Sequence, residues 1–78
     1  MKAKLTLEAV NDRVVRVLTA QGEHVGNLKW IAGAWKFKAV GYEPSGAVVP
    51  GGGPLTDRHD LRFADLDVNA ISERLLSP

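Results

Sequence analysis

From Lys2 to Tyr42 the chain alternates apolar and polar residues with a period of two, and turn signals interrupt it at near-regular intervals. A period of two belongs to a β-strand with one face buried, so this stretch reads as strands and not as helix. Ala3, Leu5, Leu7 and Ala9 alternate with Lys2, Lys4, Thr6 and Glu8, which places a first strand over 2–9. Asn11-Asp12, Gln21-Gly22 and Ala32-Gly33 are turn dipeptides. They bound three further strands over 13–20, 23–31 and 34–42. Four strands joined by tight turns make an antiparallel meander.

Two-residue turns at Gln21-Gly22 and Ala32-Gly33 set the register. Val15 then lies beside Leu28, Leu28 beside Phe37, and Trp30 faces Trp35, while Val17, Gly26 and Ala39 share a row. A slip of one residue would throw both tryptophans to the opposite face. Leu5, Leu7 and Ala9 join the same apolar face if the first loop spans Asn11 to Arg13. Such a face needs a cover, and the tail supplies one. Asp65 and Asp67 are N-cap candidates, and Val68, Ile71 and Leu75 follow at helical spacing with Leu76 beside them, which predicts a helix over 67–76. The helix is expected across the Trp30/Trp35 face, with Phe63 and Leu66 packed beneath its start. The expected fold is α+β: a single domain over 1–78, with a meander of four to five antiparallel strands and one C-terminal helix on one face.

The stretch 43–60 lacks periodicity and reads as a loop. Glu43-Pro44-Ser45-Gly46 is a β-turn, and Ala47-Val48-Val49 is a candidate short fifth strand. In Pro50-Gly51-Gly52-Gly53-Pro54 two prolines bracket three glycines, and no helix or Lys-Ser/Thr pair follows. A phosphate loop needs those partners, so the run reads as a bend.

Composition narrows the function classes. With no cysteine in 78 residues there is no disulfide framework, zinc finger, iron–sulfur site or thiol nucleophile. No apolar run approaches the roughly 18–20 residues of a membrane span, and the opening Met-Lys-Ala-Lys-Leu-Thr-Leu-Glu has no signal-peptide core. A small cytoplasmic protein of bacterial or phage type is the expectation, without membrane partner or cofactor. Ten basic against nine acidic residues give a net charge of +1, which does not by itself announce nucleic acid.

Three surfaces could carry function. Thr56-Asp57-Arg58-His59-Asp60 holds the only site-like polar ingredients: Asp57, His59 and Asp60 could ligate a metal, or His59 could act as a base oriented by a carboxylate. The competing reading is that Asp57 and Asp60 close turns while Arg58 and His59 are solvated. Trp30 and Trp35 could stack a ligand, but their parity puts them in the core. The outer sheet face carries Arg16, Asn27 and Lys38 in one row and Val14, Lys29 and Lys36 in the next, with Glu8 beside Arg16. Acidic residues concentrate in the C-terminal third. At one end of that face Leu18, Val25 and Val40 form an apolar row with Tyr42 close by.

The segment Gly33-Ala-Trp35-Lys-Phe37, followed by Phe63-Ala-Asp-Leu66 and a short helix, resembles in plan the amino-terminal arm-binding domains of phage-type integrases. That resemblance implies a small antiparallel sheet against one C-terminal helix, with the sheet reading DNA. It covers roughly the second half of the chain and assigns no individual residue a role; the Pro-Gly stretch departs from the pattern.

The sequence thus points to a non-catalytic interaction module working through its outer sheet face. Its expected partner is a protein received by Leu18, Val25, Val40 and Tyr42. The alternative is nucleic acid bound by Arg16, Lys29, Lys36 and Lys38, and the second alternative a small metal-assisted or acid–base enzyme at Asp57, His59 and Asp60. A monomer is expected, with the 48–55 loop partly covering the apolar row.

Overall fold

The computed structural model describes residues 4–77. The expected start of the first strand at Lys2 and Ala3, and Pro78 at the chain end, lie outside them. An antiparallel sheet is built from β1 (Thr6–Asn11), β2 (Val14–Leu18), β3 (His24–Ile31) and β4 (Ala34–Tyr42) in sequential order. The free edge of β4 is shared by two short strands, β5 (Val48–Pro50) and β6 (Arg62–Phe63), and α1 (Val68–Leu76) follows. The architecture is the expected α+β meander with one C-terminal helix.

The central register is the expected one. Val15 pairs with Leu28, Leu28 with Phe37, Trp30 with Trp35, and Val17, Gly26 and Ala39 share a row. Ala32 and Gly33 turn the chain with φ of 51° and 79°, the doubly positive geometry that suits a right-twisted hairpin. Glu8 lies beside Arg16 and Ala9 beside Val15. The first loop is tighter than expected, because β1 extends to Asn11 and absorbs Val10 as a bulge.

A second bulge alters the outer face. Leu18 pairs with His24 and not with Val25, so Val25 is the extra residue on β3. A bulged residue leaves the strict alternation, and Val25 joins the core cluster at 1% exposure.

The core comprises Leu5, Val15, Val17, Val25, Leu28, Phe37, Ala39 and Phe63 from the sheet side, closed by Ile71 and Leu75 of α1. Of the two N-cap candidates it is Asp67 that caps the helix, its carboxylate accepting from the amides of Asn69 and Ala70. Ser72 Oγ accepts from the buried Leu5 amide at 3.0 Å, and Arg74 lies over the Phe63 ring while donating to the Arg62 carbonyl. These contacts fix α1 against Leu5 and against Phe63, the strand neighbour of Trp35. Nine residues of helix span about 14 Å, whereas nine residues of β4 span about 30 Å, so the helix cannot cover the whole face. Trp30 is therefore 41% exposed and Trp35 partly buried, the two rings meeting edge to face at 5.4 Å. Leu66, expected beneath the helix, is also exposed.

The 43–60 stretch is more ordered than a loop reading implies. Gly46 closes a turn onto the Glu43 carbonyl, and Val48 to Pro50 pair with β4. Pro50 is tolerated because it sits on the sheet edge. Gly51 then donates to the Ala39 carbonyl. A side chain on Gly53 would stand 2.2 Å from the Val40 carbonyl oxygen, and one on Gly41 2.6 Å from the Gly53 nitrogen. The glycines are needed because two backbones touch here.

Candidate functional site

Antiparallel pairing sorts the outward side chains into rows. One row reads Glu8, Arg16, Asn27, Lys38 across four strands; the next reads Val14, Lys29, Lys36, Arg62. Arg62 was not among the expected residues. A two-residue strand carries no periodicity, and only the docking of β6 on β4 reveals it. Lys29, Lys36 and Arg62 are consecutive cross-strand neighbours. Like charges directly opposite in a sheet destabilise it.

Two carboxylates partly offset these cations. Glu8 accepts from Arg16 Nη1 at 2.7 Å. Asp60 accepts from Lys38 Nζ at 2.6 Å and lies 3.9 Å from Lys36 Nζ. The Lys38 hydrogen bond holds the Asp60 carboxyl below the usual carboxylate range, with partial desolvation opposing it and the nearby charges of His59, Lys38 and Lys36 assisting. Among the described residues Lys29 and Arg62 take part in no ion pair. The face therefore gathers Arg16, Lys29, Lys36, Lys38 and Arg62 against Glu8 and Asp60, in a molecule whose total charge is only +1.

Asp57, His59 and Asp60 do not form a common site. Among the described residues no group of three His, Asp or Glu side chains is placed to hold a metal. His59 Nδ1 instead accepts from the Ala39 amide at 3.0 Å, taking the place of a strand carbonyl where the chain bridges from β5 to β6. Its Nε2 is 3.7 Å from Asp60 Oδ1. Arg58, expected to be solvated, donates to the carbonyls of Arg74 and Ser77 and so closes the C-terminal end of α1. Asp60 adopts φ of 73°, a conformation Asp tolerates better than most residues, and its amide donates to the Phe37 carbonyl.

The apolar row proposed for a protein partner is not assembled. Val25 is in the core and Val40 is 7% exposed, Leu18 is half-buried, and only Tyr42 stands out at 51% exposure. Tyr42 belongs to a different constellation. Its hydroxyl lies 2.6 Å from His24 Nδ1, and His24 Nε2 lies 2.9 Å from Asn27 Oδ1. With Asn27 accepting, Nε2 carries the proton and Nδ1 accepts from Tyr42. Strict alternation from Leu28 would turn His24 inward; the Val25 bulge brings it to the outer face, so period counting could not find it.

No protein family, curated protein or solved structure matches the chain. Among the described residues no helix is long and apolar enough to cross a membrane.

Proposed function

We propose that this protein is a binding module whose outer sheet face takes a polyanion, the phosphodiester backbone of nucleic acid. The observation that carries the reading is the row Lys29–Lys36–Arg62, three cations that are paired in register on three adjacent strands, with only Asp60 near Lys36 to offset them. Solubility alone is better served by interspersed signs. A row of one sign is stabilised once an anion lies along it, since phosphate contacts exchange repulsion for pairing and release counterions. The neighbouring row supplies Arg16 and Lys38, each held by one carboxylate that a phosphate can displace or neighbour.

The test is binding of a labelled oligonucleotide across a salt series. With three to five cations engaged, affinity should fall with a log–log slope of roughly −2 to −4. Lys29→Glu and Arg62→Glu should each weaken binding at low salt, while Glu8→Gln should strengthen it. Association indifferent to salt and to both charge reversals would overturn the reading.

A further inference from the structure

We infer that the polyanion is a single strand of nucleic acid, with Tyr42 as the aromatic on which an unpaired base stacks. The inference rests on the polyanion reading above and adds the class of ligand. Tyr42 reaches the outer face through its contacts: its hydroxyl meets His24, and His24 meets Asn27, which pairs with Lys38. At about 3.4 Å per residue, Lys38 to Tyr42 is about 14 Å and Lys36 to Tyr42 about 20 Å along the strand. That run suits a short stretch of single strand, whose sites on other sheet proteins cover roughly 4–16 nucleotides.

The ring is half-exposed yet held in place. The hydroxyl is tied to His24 Nδ1, and His24 is tied through Nε2 to Asn27, which neighbours Lys38 and Arg16 in its row. The His24 ring is tilted 50° to Tyr42 at a centroid distance of 5.9 Å, so it braces the ring without covering it by parallel stacking. An exposed aromatic fixed in advance loses little rotamer freedom when it receives a partner. A duplex keeps its base faces stacked on one another and would offer Tyr42 only its backbone, whereas a single strand presents both phosphates and π-faces. An acidic peptide would use the cations but has no base to place on the ring.

The experiment uses the full chain and fluorescence anisotropy with labelled twelve-residue oligothymidylate. A duplex of the same length and heparin serve as competitors at one low salt concentration. The single strand should bind at least about tenfold tighter than the duplex. Tyr42→Ala should lose roughly 5- to 100-fold of that affinity, and Tyr42→Phe, which keeps the ring, should stay within about threefold of the parent. Unfolding followed by tryptophan fluorescence confirms that both variants are folded. If the duplex or heparin binds as tightly as the single strand, or Tyr42→Ala binds like the parent while Arg62→Glu does not, single-strand recognition is wrong and the polyanion face stands. If no probe binds, or the binding seen does not weaken when salt is raised as in the series above, both are wrong.

Discussion

Gly26→Ala is the sharpest test of how this sheet is packed. Gly26 sits on β3 between Val17 and Ala39, beneath the fully buried Phe37. A methyl group there would stand 2.4 Å from Phe37 Cε1, 2.5 Å from Cζ and 2.8 Å from the Lys38 carbonyl oxygen. Ordinary contact begins at 3.4 Å, so the ring must retreat by about 1 Å in a close-packed interior. Overpacking of this kind costs roughly 1–3 kcal/mol, and the backbone oxygen on the other side puts Gly26→Ala near 3 kcal/mol. A chain of 78 residues has roughly 4–12 kcal/mol of stability to lose from. Urea unfolding monitored by Trp30 and Trp35 should show a midpoint lower by about 2–3 M if the slope is near 1 kcal/mol/M. Phe37→Leu makes room, so the double variant should be more stable than the sum of the two single effects by about 1 kcal/mol or more. A Gly26→Ala protein within 0.5 kcal/mol of the parent, or strict additivity with Phe37→Leu, would refute this packing.

Three further outcomes follow from other contacts. Ala32 holds a positive φ without being glycine, so Ala32→Asn should raise stability by roughly 0.5–1 kcal/mol in the same unfolding assay. Ser72→Ala removes the acceptor for the buried Leu5 amide and should cost about 1–3 kcal/mol, with faster hydrogen exchange at Leu5. Asp60 has a folded-state pKa below its unfolded value, so its stabilisation is complete above the usual carboxylate range and is lost as pH falls through the folded pKa. The stability difference between parent and Asp60→Asn, measured from pH 7 downward, should therefore close below about pH 4; a difference that widens there would contradict the Lys38–Asp60 pair.

The β3–β4 hairpin was legible because Trp30, Trp35, Leu28 and Phe37 occupy one parity and Ala32-Gly33 allows one turn geometry. The helix was legible in extent, from Asp67 and the spacing of Ile71 and Leu75. Its position was not, because Ser72, Arg74 and Arg58 find their partners in distant segments. The same limit hid β6, where two residues cannot show a period, and the role of His59 as a stand-in for a strand carbonyl. The outer-face cations Arg16, Lys29, Lys36 and Lys38 followed from register alone, and Arg62 needed the β6 pairing. The apolar row failed at a single residue pair, since a bulge at Val25 leaves no mark in an alternating pattern next to glycine. That bulge moved Val25 inward and His24 outward, and so exchanged an expected hydrophobic patch for the Tyr42–His24–Asn27 chain.

The central claim is that the outer sheet face is the working surface, and amide chemical-shift mapping tests it most directly. During titration with oligothymidylate at low salt, the largest shifts should fall on Arg16, Lys29, Lys36, Lys38, Arg62 and Tyr42, while Val17, Ile71 and Leu75 stay fixed. Shifts centred instead on Trp30, Ile31 and Leu66, or no shifts at all, would contradict it.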